Sequence, residues 1–142
     1  MTTAPSRTTF DFDDFISGAL RGWLAALCGF ALWIVVTPTD PYGRVFGFMV
    51  FGVFYSLWYL GLVVIVGIPC FDLLRRLGPT SPPALWSAIG AATFAAAVAL
   101  VASLNKSFLD FGDSVVLSAI AGIGGGVTYY FVRKAADGPS AA

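Results

Sequence analysis

Four apolar stretches, residues 15–36, 45–68, 84–104 and 114–132, occupy most of this chain, and each is long enough to cross a lipid bilayer as a helix. A hydrocarbon core of about 30 Å is spanned by about 20 helical residues at roughly 1.5 Å rise each. The four stretches hold 22, 24, 21 and 19 residues, and Arg21 is the one charged residue inside them. A soluble helical bundle would need a polar face on every helix, and these segments have none. The composition agrees, with a mean hydropathy of +0.84 and 11% charged residues against the roughly 25% of ordinary soluble domains.

The expected fold is therefore all-α: a polytopic membrane protein whose four transmembrane helices form one compact bundle. A short interfacial amphipathic helix leads into the first span. Residues 11–134 make up this single domain, flanked by disordered tails at residues 1–10 and 135–142. Asp11 is placed to cap the leading helix, with Asp13 and Asp14 in its first turn, where the helix dipole favours acids. Phe12, Phe15, Ile16, Ala19 and Trp23 share one side of it. Residues 1–14 contain three aspartates and a single arginine, unlike the basic start of a cleaved secretory signal, so the first span is expected to be retained.

Arg7, Arg21, Arg75, Arg76, Arg133 and Lys134 fall on one side of this topology, and Arg44 and Lys106 on the other. Cations are retained on the cytoplasmic side, which puts both termini in the cytoplasm, and the composition fits a bacterial inner membrane. Arg21, Arg75, Arg76, Arg133 and Lys134 are accordingly read as topology determinants and as contacts for lipid headgroups, with Arg21 snorkelling from the first span. With formal net charge zero no basic surface is available for nucleic acid. The partners implied are the bilayer, other membrane subunits and further copies of the chain.

The spans differ in character. The second is rich in aromatics, and Phe51, Tyr55, Trp58 and Leu62 share one face, suited to bulky packing and lipid contact. Gly67 and Pro69 mark its end or a kink; the chain then restarts for two turns and stops at Gly78 and Pro79 after Arg75 and Arg76. The third span is alanine-rich and is expected at the centre of the bundle, because small side chains let helices approach closely. The fourth carries Ser114, Ser118, Gly122 and Gly126 at four-residue spacing, a stripe ending in a GxxxG pair and adjoining Gly124 and Gly125. Such a stripe marks a close helix contact, within the chain or between chains.

Reactive chemistry is sparse. The chain contains no histidine and no glutamate, which removes imidazole ligation of haem or zinc and any histidine-based nucleophile or proton relay. Cys28 and Cys70 are solitary and read as small apolar fillers. No aspartate lies deep in a span. Residues 122–130, GIGGGVTYY, are similar to the pore segment of small four-span fluoride channels; the arginine-bearing glycine motif of those channels is missing from the first span, and their pore segment precedes the last span, so that family is not assigned. No catalytic residue, cofactor or metal ligand is therefore expected. The activity implied is non-enzymatic: an accessory or assembly subunit, or a small homo-oligomer packed through small-residue helix faces. The alternative is a small transporter or channel formed by oligomerisation.

The charge asymmetry makes a direct prediction. In a variant lacking Cys28 and Cys70, single cysteines at Thr39 and Phe108 will react with a membrane-impermeant thiol reagent applied to intact cells, and one at Thr80 will react only after lysis. Labelling at Thr80 in intact cells would reverse the topology.

Overall fold

The computed structural model describes residues 12–37, 40–76, 81–104 and 110–138. Among these residues five α-helices follow in order: α1 (Phe12–Val36), α2 (Pro41–Leu62), α3 (Ile68–Arg76), α4 (Pro83–Leu104) and α5 (Phe111–Ala136), with a π-helical turn, Val63–Gly67, joining α2 to α3. Four helical segments are long and apolar enough to cross a membrane, α2, the π turn and α3 forming one of them. The chain is a multi-pass membrane protein. The expected tails at residues 1–10 and 139–142, the cap at Asp11, Lys106 and the stop at Gly78 and Pro79 lie outside the described residues.

The helix starts follow local chemistry. Asp40 caps α2 by accepting a hydrogen bond from the Gly43 amide at 3.2 Å, with Pro41 in the first helical position, where a missing N–H costs nothing. Asp110 caps α5, accepting from the Phe111 amide at 2.8 Å. The leading segment of α1 carries Asp13 and Asp14 in its first turn and runs without a break into the span. At the other end of the chain α5 continues to Ala136, two residues into the stretch expected as tail.

Pro69 has no N–H to offer the carbonyl four residues earlier, so the ladder slips by one residue: the Ile68 amide bonds to the Val63 carbonyl, an i to i−5 step. The helix is neither broken nor ended there, and it continues to Arg76.

The centre of the bundle is α5, not the alanine-rich third span. Half of the α5 span is buried, against 11% for α4, because α1 packs on one side of it and α4 on the other. Both contacts cross on glycine. A Cβ added to Gly125 would stand 2.6 Å from the Gly90 carbonyl oxygen, and one added to Gly124 would stand 3.1 Å from the Gly22 carbonyl oxygen. Backbone thus lies on backbone at both crossings.

The buried line of α1 is Phe15, Gly18, Gly22, Ala26 and Phe30. On the apolar side of the leading segment Phe15 is buried, while Phe12 and Ile16 are exposed. In a bilayer, exposing a large apolar side chain costs little, and the small residues take the tight interface. Aromatic rings fill the space around the glycines. Phe71, Phe15, Tyr129, Phe94, Tyr59, Tyr55 and Phe30 form a continuous series with centroids 5.1 to 6.4 Å apart, within the range of favourable ring pairs.

Graded glycine substitutions test this packing. Gly125→Ala and Gly90→Ala push a Cβ into backbone and should each destabilise the protein by about 1–3 kcal/mol or more. Gly122→Ala and Gly126→Ala meet neighbours at 3.2 to 3.3 Å and should cost less. Gly61→Ala has open space around it and should be neutral or mildly stabilising. Thermal unfolding in mild detergent measures the order; equal effects at Gly125 and Gly61 would refute it.

Candidate functional site

The buried polar groups near the glycine crossings bond to one another. The Tyr59 and Thr128 hydroxyls lie 2.9 Å apart, and Thr128 donates to the Gly124 carbonyl at 2.8 Å. The Tyr129 hydroxyl donates to the Gly67 carbonyl, in the π turn. The Cys70 thiol lies 3.8 Å from the Thr93 hydroxyl, which donates to the Ile89 carbonyl at 2.6 Å. In a low-dielectric interior an unmade hydrogen bond is costly, so these contacts tie α2, α3, α4 and α5 in one arrangement. Among the described residues no three cysteine or aspartate side chains come together.

At the end of the molecule bearing Arg75 and Arg76, the cations separate into two groups. Arg133 is 5% exposed; its Nε donates to the Ser81 carbonyl at 2.7 Å, and its guanidinium reaches Asp137 at 2.5 Å. The Ser81 hydroxyl accepts from the fully buried Trp86 indole at 2.9 Å. Arg133 thus fastens the start of α4 to the end of α5. Arg75, Arg76 and Lys134 are exposed, with Arg76 paired to Asp72 at 3.0 Å. Arg21 is exposed too, its guanidinium 4.6 Å from the Phe131 ring centroid, a cation–π distance.

The four-residue stripe of α5 divides. Gly122 and Gly126 are buried against Ala91, Ala95 and Ser87 of α4, inside the chain. Ser114 and Ser118 are half-buried, and their hydroxyls donate back to the carbonyls of Asp110 and Ser114. The residues that make the closest approaches, Gly22, Gly90, Gly124 and Gly125, fall outside that stripe. The Gly18, Gly22, Ala26 spacing in α1 was a readable signal of the same kind.

Two outward surfaces remain. On α4, Ala88, Ala92, Ala96 and Ala99 are exposed, with Leu85 on the same side in the first turn and Leu100 beside them near the end. They adjoin a shallow groove floored by Gly122 and Gly126 and walled by Ala91, Ala95, Ala119 and Ile123. The opposite side is rough: α2 buries only Tyr59 and Leu62, and Phe46, Phe51, Phe54 and Trp58 project from it. The alanine face is the candidate functional site. No protein-family model, curated protein or solved structure matches the chain.

Arg133→Gln removes the charged hydrogen bond to the Ser81 carbonyl and the ion pair with Asp137, and should destabilise by about 1.5–3 kcal/mol. Lys134→Gln, one residue on and exposed, should leave the unfolding midpoint in detergent unchanged. Equal midpoints for the two variants would show that the Arg133 contact holds nothing.

Proposed function

We propose that this is a non-enzymatic inner-membrane protein of bacteria, with both termini cytoplasmic, that acts by assembling with other membrane subunits or with further copies of itself. The observation that carries this reading is the exposed alanine face of α4. Helices that face only lipid usually present large side chains, as α1 does with Leu20, Leu24 and Leu32. Small side chains bring a neighbouring helix close enough for dense backbone contact, which drives association where hydrophobic burial does not. The groove over Gly122 and Gly126 continues that surface onto α5, so a partner helix would meet a strip of small residues two helices wide with Ile123 at its edge. The orientation is supported by the gathering of Arg21, Arg75, Arg76 and Lys134 at one end.

Native mass measurement in mild detergent tests the assembly. The wild-type protein should run as a homo-oligomer or with a co-purifying membrane subunit. Ala92→Phe and Ala96→Phe should each release the single chain at an unchanged unfolding midpoint, since exposed substitutions stay within about 0.5 kcal/mol. A single-chain mass for the wild type in native lipid extracts, or an unchanged assembly in both variants, would overturn the reading.

A further inference from the structure

The helices do not close on all sides. α2 leans on α1 and stands off from α4, and among them lies a cavity of about 300 Å³. Phe30 of α1 and Phe51, Tyr55 and Trp58 of α2 line it, with Val98 of α4 and Leu117 of α5. The Tyr55 hydroxyl is buried without a partner, so this residue offers the space its ring and not its oxygen. A second hollow opens between the end of α4 and the start of α5, and Ala102 and Ser114 belong to both. The two spaces meet there and run from a ring-lined interior toward the end of the molecule where α5 begins.

The outer hollow differs in chemistry. Ser103, Ser114 and Ser118 line it beside Phe111. Their hydroxyl hydrogens are spent on the carbonyls of Leu100, Asp110 and Ser114, so what they present to an occupant is oxygen lone pairs. Asp110 and Asp113, both exposed, stand within about one turn of Ser114 on α5. Arg44, the cation at this end among the described residues, lines neither hollow. An occupant therefore meets rings inside, and acceptors and negative charge at the mouth. A hydrocarbon chain would use none of those acceptors.

The walls set the size. Along α4 the lining runs from Val98 to Ser103, and along α5 from Phe111 to Ser118. At the helical rise these walls are about 8 Å and about 10 Å long, room for one ring and a short head. The inner volume lies at the small end of ligand sites.

We propose that the joined hollows bind a small aromatic ammonium compound, its ring among Phe51, Tyr55 and Trp58 and its cationic head at Ser103 and Ser114. Aromatic rings attract a cation within about 6 Å of their centroids, and a head at the mouth keeps part of its hydration, which spares it the cost of full burial. The ring subsite shares no residue with the exposed alanine face of α4, so ligand binding and assembly can fail independently.

The test uses the full-length protein carrying fluorotryptophan, in nanodiscs of zwitterionic phosphatidylcholine, titrated with benzyltrimethylammonium and followed by fluorine NMR. Trp58→Phe assigns the Trp58 signal. That signal should shift to saturation, while the signal of the fully buried Trp86 stays fixed. Benzyl alcohol, a neutral ring with a hydroxyl head, should bind about tenfold more weakly, the factor that about 1.4 kcal/mol of attraction for the cation supplies. Ala102→Phe, which fills the junction of the hollows, and the double variant Ser103→Ala with Ser114→Ala, which removes the acceptors, should each weaken benzyltrimethylammonium about tenfold. The double variant alters no cross-helix bond and keeps the comparison valid if Ala102→Phe fails to fold. The absence of a saturable shift at Trp58 would overturn the proposal, as would equal affinity for benzyl alcohol or undiminished affinity in the double serine variant.

Discussion

Everything else in this bundle hangs on how closely α1 and α4 approach α5. Lipid tails are as apolar as leucine, so burying hydrophobic area does little to bring these helices together, and packing must do it. Gly124 and Gly125 are adjacent in sequence and therefore about 100° apart around the helix. One meets Gly22 of α1 and the other Gly90 of α4. Two consecutive residues thus create two crossings on different sides of a single helix. Three glycines in a row weaken a helix by about 1 kcal/mol each in a soluble host, yet α5 is continuous from Phe111 to Ala136, which locates the offsetting energy in the contacts themselves.

The polar interior follows from that closeness. With no Cβ at Gly22 or Gly124, the Tyr59 hydroxyl reaches Thr128 across the α1–α5 crossing. The π turn before Pro69 turns the Gly67 carbonyl toward Tyr129 of α5. The Tyr129 hydroxyl thus ties the π turn of one span to its neighbour. Phe15 and Phe94 pack on Gly67 at ordinary distance, and a larger residue there would move both rings.

The four spans were legible because their cause is local: length and hydropathy are properties of a single segment. The identity of the central helix was not. Alanine in the third span and glycine in the fourth both announce close contact, and only the partners of those contacts distinguish centre from edge. Gly125 needs Gly90 opposite it, and that pairing is absent from the spacing of either helix. Which side of α1 packs inward was not legible either: the close contact runs along Gly18, Gly22 and Ala26, and a bilayer solvates Phe12 and Ile16. Arg133 and Lys134 show the limit again. They are neighbours of equal charge, and one residue's rotation puts the first under the start of α4 and leaves the second outside.

The two outward surfaces carry opposite textures, and texture matters in a bilayer more than polarity does. A flat alanine strip gives flexible acyl chains few recesses to fill, while it lets a rigid helix lie close along its whole length; rings projecting from α2 keep a rigid helix away, while a flexible chain can thread between them. The two faces thus differ in shape, although both are apolar. That division arises where α4 turns its small residues both inward to α5 and outward, and where α2, burying only Tyr59 and Leu62, keeps its bulk for the surface.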